Sequence, residues 1–174
     1  MFVENRYAIS STANLQPGDI FYIGLWSQQS LGLVLEQAST GTSIAILETE
    51  RAERPVPLWL TLKSPAQVLS LGGGCVFEPI LGPESVPGSS FEYKFSPGVL
   101  TQDAENNLTM MLHPYDSFAN NEVSFDLRRN VFSHGSSSYY NAYFARWRLW
   151  PSRSEFEMER GTPILDFQYK PFAR

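Results

Sequence analysis

Residues 139–150 read Tyr-Tyr-Asn-Ala-Tyr-Phe-Ala-Arg-Trp-Arg-Leu-Trp, and they alternate. Side chains of an extended chain point to opposite faces with a period of two. Tyr143, Ala145, Trp147 and Leu149 therefore share one face, and Tyr140, Phe144, Arg146, Arg148 and Trp150 share the other. The pattern predicts one long strand with an apolar side and an aromatic–arginine side, around which the remaining chain packs.

The same period recurs elsewhere. Pro17-Gly18-Asp19 is a turn signal that launches an apolar run over residues 20–26. Residues 27–30 read as a polar hairpin loop. Leu31, Leu33 and Leu35 follow in alternation, then a turn at 39–42 and a third strand over 44–47. Short strands joined by short turns make an antiparallel meander. Leu58, Leu60 and Leu62 predict a fourth strand, and residues 68–71 a short fifth.

Beyond a Gly/Pro-rich segment the alternation resumes at Phe91, Tyr93 and Phe95; at Leu108, Met110 and Leu112; at Val123, Phe125 and Leu127; and at Leu165, Phe167 and Tyr169. Phe156 and Met158 alternate with Glu155, Glu157 and Glu159, which predicts a strand. Paired with the long strand as a hairpin, it would bring those glutamates to Arg146 and Arg148. Residues 1–16 read as polar and irregular, and the charged run 48–54 as a solvated loop ended by Pro55 and Pro57. The weak helical candidate is 101–111, which Asn106 and Asn107 argue against extending.

The expected class is all-β and mostly antiparallel: an SH3-like or meander N-terminal sub-barrel packed on a larger β-sandwich or barrel, with little helix. Residues 1–71 form the first unit, 72–90 the connection and 91–174 the second sheet system, with one continuous domain as the alternative. Residues 17–23 and 31–35, Pro-Gly-Asp-Ile-Phe-Tyr-Ile and Leu-Gly-Leu-Val-Leu, resemble the opening of SH3-like barrels and of some bacterial toxin-immunity proteins. The resemblance implies a protein whose task is to bind another protein.

Composition narrows the function classes. The chain has 174 residues, 43% hydrophobic and 18% charged, which is ample for a core. A net charge of −5 with thirteen Lys and Arg disfavours nucleic acid, since phosphate recognition needs clustered cations. No apolar run approaches the roughly 20 residues of a membrane helix. One cysteine excludes an internal disulfide and agrees with a reducing compartment, so the expectation is a cytoplasmic protein.

Cys75 is a candidate nucleophile only beside a base, and His113, Asp116 and His134 are the groups available. No nucleophile elbow or cysteine-protease signature surrounds it. A small apolar residue at a strand start is the competing reading. His113, Asp116 and His134 are also the best metal set that can be drawn, but their spacing matches no structural zinc pattern. The triple glycine 72–74 precedes no helix that could meet a phosphate, so it reads as a bend. The expectation is no metal and no cofactor. What remains is the face of Tyr140, Phe144, Arg146, Arg148 and Trp150, whose flat rings and guanidinium groups suit a protein partner or a small ligand. A non-enzymatic binding protein is the first reading, a small hydrolase using Cys75 or the His113/Asp116 pair the second, and self-association through the same face a third.

Overall fold

The computed structural model describes residues 7–49, 56–86, 92, 96–115, 123–134, 140–158 and 161–170. The first half supplies β1 (Ala8–Ser11), β2 (Ile20–Leu25), β3 (Gln28–Ala38), β4 (Gly41–Thr49), β5 (Leu58–Leu62), β6 (Gln67–Gly72) and β7 (Val76–Ile80). The second supplies β8 (Leu100–Asp103), β9 (Leu108–Pro114), β10 (Val123–Asp126), β11 (Val131–His134), β12 (Tyr140–Phe144), β13 (Arg146–Trp150), a short helix α1 (Arg153–Glu157) and β14 (Leu165–Gln168).

Two sheets result. The larger runs β1-β6-β2-β3-β4-β5-β9-β10-β11, with β8 joined to β9 and β12 joined to β8. The smaller is β14-β13-β7. All described pairings are antiparallel except the short parallel contact of β5 with β9. The all-β, antiparallel expectation holds, but the sheets do not close into a barrel.

The turn expected at residues 17–19 is present. Gly18 takes a φ of +93°, a region that favours glycine, and Asp19 accepts the Gln16 N–H at 2.8 Å. The apolar face of β3 and β4 meets the other strands in one core: Leu31, Leu33, Leu35, Ala45 and Leu47 pack with Leu100, Met110, Phe125, Trp147, Leu149 and Phe167. That core draws on both sides of the Gly/Pro-rich segment. The opposite face of the meander buries Phe21, Ile23, Val34, Ile44, Ile46 and Val68 in a second cluster. With apolar side chains on both faces, β3 and β4 read as nearly continuous hydrophobic runs.

Several expectations are corrected. The long strand is two strands. The chain bends at Ala145, whose N–H is held by Glu84 Oε1 at 3.3 Å and whose carbonyl accepts the Tyr169 N–H at 2.7 Å. β12 then pairs with β8 in the large sheet and β13 with β7 and β14 in the small one. The bend reverses the inward phase: Ala142 and Phe144 point into the core before it, Trp147 and Leu149 after it.

The strand expected at Phe156 and Met158 is α1. Its start is Ser152-Arg153-Ser154-Glu155, where the Ser152 hydroxyl accepts the Glu155 N–H at 3.2 Å, a helix-capping contact that overrides the alternation. The strand pairing predicted to bring Arg146 and Arg148 to Glu155 and Glu157 is absent among the described residues, and Glu159 lies outside them. The arginines meet Asp166 and Glu78.

Residues 101–111 form the β8–β9 hairpin rather than a helix. Asp103 accepts the Glu105 and Asn107 N–H groups, and Asn106 sits at φ 62°. The hairpin loop expected at 27–30 is a two-residue turn at Trp26 and Ser27, both at positive φ, with the Trp26 ring stacked on Tyr115 at 5.6 Å. The irregular N-terminus contains β1. The Gly/Pro-rich connection begins with β7, an edge strand on which Pro79 removes no needed donor. The expected strand at Phe91, Tyr93 and Phe95 and most of the charged run 48–54 lie outside the described residues.

Candidate functional site: a neutral groove on the outer sheet

The aromatic–arginine face does not form a flat surface. Phe144 is 5% exposed and Trp150 is 7% exposed. The Trp150 indole N–H donates to Glu78 Oε2 at 2.8 Å. Arg146 makes a two-pronged contact with Asp166 at 3.0 and 2.7 Å, and Arg148 joins the same carboxylate at 3.3 Å. The Arg146 hydrogen bond is the main cause that lowers the Asp166 pKa, against partial burial. Tyr140 packs edge-on to Tyr143 at 6.3 Å. The face expected to serve a protein partner or a small ligand thus loses both the Phe144 and the Trp150 ring to burial.

Cys75 is part-buried between β6 and β7, and its thiol points to the Pro151 carbonyl at 3.7 Å. Burial, then the Asp19 carboxylate, push its pKa up to about 11. A nucleophilic thiol needs the opposite shift. His113 lies in β9, where its N–H donates to Pro57 O at 3.0 Å in the contact with β5. Asp116 and the His134 side chain lie outside the described residues, and with them the proposed triad and metal set. Among the described residues no group of three His, Cys, Asp or Glu side chains could hold a metal ion, and no helix is long and apolar enough to cross a membrane.

A concave feature lies elsewhere, on β1, β6, β2 and β3. Strand register puts Ile9, Leu69, Tyr22 and Leu31 opposite one another, so they share one face as a single cross-strand row. At Leu31 this face is core, 1% exposed. Toward β1 it emerges into solvent, with Leu69 at 41% and Ile9 at 80%.

The next row on the same face carries Gly24 paired with Gln29, and Gln67 lies beside them on β6. Gly24 has no side chain, and a Cβ placed there would meet nothing within 4 Å. The result is a groove of about 580 Å³, lined by Ile9, Tyr22, Gly24, Gln29, Gln67 and Leu69, with Ser27 and Gln28 at the turn end. That is within the range of ligand pockets, roughly 300–1,000 Å³.

Among the described residues that line it none is charged, in a chain of net charge −5. Gln28 Oε1 is a covered acceptor with no hydrogen-bond partner among the described residues. Burial, then neighbouring Tyr7, Glu48 and Cys75, raise the Tyr22 pKa, so its hydroxyl is a neutral donor at physiological pH. An adjoining hollow of about 310 Å³ shares Tyr22 and Gln29 and reaches Glu48 and Thr49. The groove offers apolar contact along one row and amide hydrogen bonds along the next.

Sequence reasoning missed this site because its residues are distant in the chain and meet only through register. The sole local signal was Gly24, a glycine inside an apolar strand, which often marks close approach of another chain or ligand. No protein-family model, curated protein or solved structure matches this chain.

Proposed function

We propose that the protein is a non-enzymatic binding protein whose ligand surface is the groove over Gly24, and that its ligand is an uncharged, extended peptide segment of a partner protein. The carrying observation is the pairing of two rows on one face: an exposed apolar row, Ile9–Leu69–Tyr22, beside an amide row, Gln67 and Gln29. An extended peptide presents the matching pattern, since its side chains alternate while its backbone offers N–H and C=O groups at each residue. Glutamine amides can donate to and accept from such a backbone. The described lining, built of apolar side chains, serine and glutamine amides, favours an uncharged segment over a phosphorylated or acidic one. A cytoplasmic setting suits the lone thiol, and protein binding is the task implied by the resemblance of residues 17–35 to immunity proteins.

The test is selection from a displayed library of random peptides, run in parallel on the wild type and on Gly24→Phe, which places a ring in the groove. Enrichment of uncharged sequences with alternating apolar residues on the wild type alone supports the reading. Failure to enrich any sequence, or equal enrichment on both proteins, overturns it.

A further inference from the structure

We propose that two copies of this chain pair through β1, antiparallel and centred on Ile9, making one sheet continuous across a two-fold axis. The inference rests on the edge of the sheet and is independent of what the groove binds.

β1 is the terminal strand of the large sheet and pairs only with β6 among the described residues. Its ladder fixes which backbone groups are already used. Ala8 faces Ser70 and Ser10 faces Val68, and the same register continues to Thr12, whose N–H donates to Ala66 O at 2.9 Å. In an antiparallel ladder the residues that exchange hydrogen bonds alternate. Ala8, Ser10 and Thr12 therefore point their amides at β6, and Tyr7, Ile9 and Ser11 point theirs outward.

Edges of this kind are normally blunted by a charge, a proline or a bulge. Residues 7–11, Tyr-Ala-Ile-Ser-Ser, contain none of the blunting residue types, and the β1–β6 register has no irregularity. Ile9 at 80% and Tyr7 at 42% are exposed on it.

The occupant that this edge fits is a second β1. Antiparallel pairing about Ile9 sets Ile9 opposite the partner's Ile9 and Ser11 opposite the partner's Tyr7. All of these carry outward amides, giving about six backbone hydrogen bonds at two per hydrogen-bonded pair. No charged residue within β1 then opposes its own copy. The apolar row gains its missing neighbour: Tyr22, Leu69 and Ile9 are continued by the partner's Ile9. The groove, open on its β1 side, gains a wall from the partner subunit, and the dimer presents two grooves side by side. Symmetric, self-complementary contacts of this type are the commonest route to a homodimer.

The experiment is light scattering coupled to size exclusion on the full chain, from low to high micromolar. The expected mass is twice the 19.6 kDa of the chain. Ile9→Lys and Ile9→Pro are each expected to give the monomer mass with unchanged circular dichroism, because the Ile9 side chain lies outside the core and its N–H faces away from β6. Ile9→Cys in a Cys75→Ser background is expected to crosslink copies on oxidation, since hydrogen-bonded partners sit about 5.5 Å apart at Cα. Ala8→Cys, which points to the other face and opposes Ser10 of the partner subunit, is expected not to. A monomeric wild type at high concentration overturns the proposal. So does a dimer that survives both Ile9 variants.

Discussion

Trp147 is the side chain that fastens the small sheet to the large one, and its replacement makes a quantitative prediction. The residue is 0% exposed in β13. Its ring stacks on Phe167 of β14 at 4.8 Å and 15°, and packs against Phe77 of β7 at 5.3 Å. Its indole N–H donates at 2.7 Å to the carbonyl of Gly98, a buried residue just before β8. Gly98 itself has φ +84°, and a Cβ there would overlap the Phe167 ring, so the four residues form one interlocked unit.

Trp147→Ala opens a cavity at about 3–5 kcal/mol. It also strands the Gly98 carbonyl without a donor, at about 1–3 kcal/mol. Together these approach the roughly 5–15 kcal/mol that holds a domain folded, so the variant is expected to be largely unfolded or close to it. Trp147→Phe keeps a ring and loses the donor. It is expected to cost about 2–5 kcal/mol, from the stranded carbonyl and the smaller ring. A double-mutant cycle of Trp147→Leu with Phe167→Leu, each of which removes one ring of the stack, should return a coupling of about 0.5–1.5 kcal/mol for the stacked pair. Urea unfolding followed by far-ultraviolet circular dichroism reads all of these. Trp147→Phe within about 0.5 kcal/mol of the wild type would refute the reasoning, because surface-like changes fall in that range.

Three further outcomes are expected. Gly24→Phe should leave the thermal midpoint at or slightly above that of the wild type in a melting scan, because the added side chain enters open space; a large drop would mean that the groove floor is packed. Cys75 should alkylate about a hundredfold more slowly in the native protein than in urea-unfolded chain near neutral pH, from a thiol pKa near 11 against an ordinary 9.0. Its native reactivity should rise only as pH climbs toward that raised value, and equal rates would contradict the burial. Asp166→Asn should lower the thermal midpoint only slightly at neutral pH, because both of its arginine pairs are partly exposed and screened by solvent. The folded Asp166 pKa is lowered, so this contribution is present above the ordinary carboxylate range and lost as pH falls through the lowered value. A penalty that persists unchanged in acid would count against it.

The strands that were legible in the sequence are those with a large apolar residue at every second position. Leu165 and Phe167 alternate with exposed Asp166 and Gln168, whereas Leu108, Met110 and Leu112 keep the same period although Thr109 and Met111 are buried on the other face. β1 was not legible, since Ala8-Ile9-Ser10-Ser11 has one large apolar residue and belongs to a sheet only through β6. β7 was hidden by Pro79, which an edge strand accepts and an interior strand would not. At α1 two local signals conflict: Glu155-Phe156-Glu157-Met158 alternates, but Ser152 caps the Glu155 amide, and with no neighbouring strand to pair with, the cap decides. Gly24 alone gave the groove a local signal, because Gly24, Gln29, Gln67 and Ile9 become neighbours only after three separate ladders are in register.

The bend at Ala145 sets a tolerance that neither sheet would reveal alone. The five residues before it and the five after it are counted separately, each in step with a different set of hydrogen bonds. Adding or removing one residue at this joint would not be absorbed as slack, as it would in an ordinary loop. It would push Trp147 and Leu149 out to water, or Phe144 and Ala142, and one half of the core would empty. The joint is a single residue long, yet it is where the chain has the least freedom to change its length.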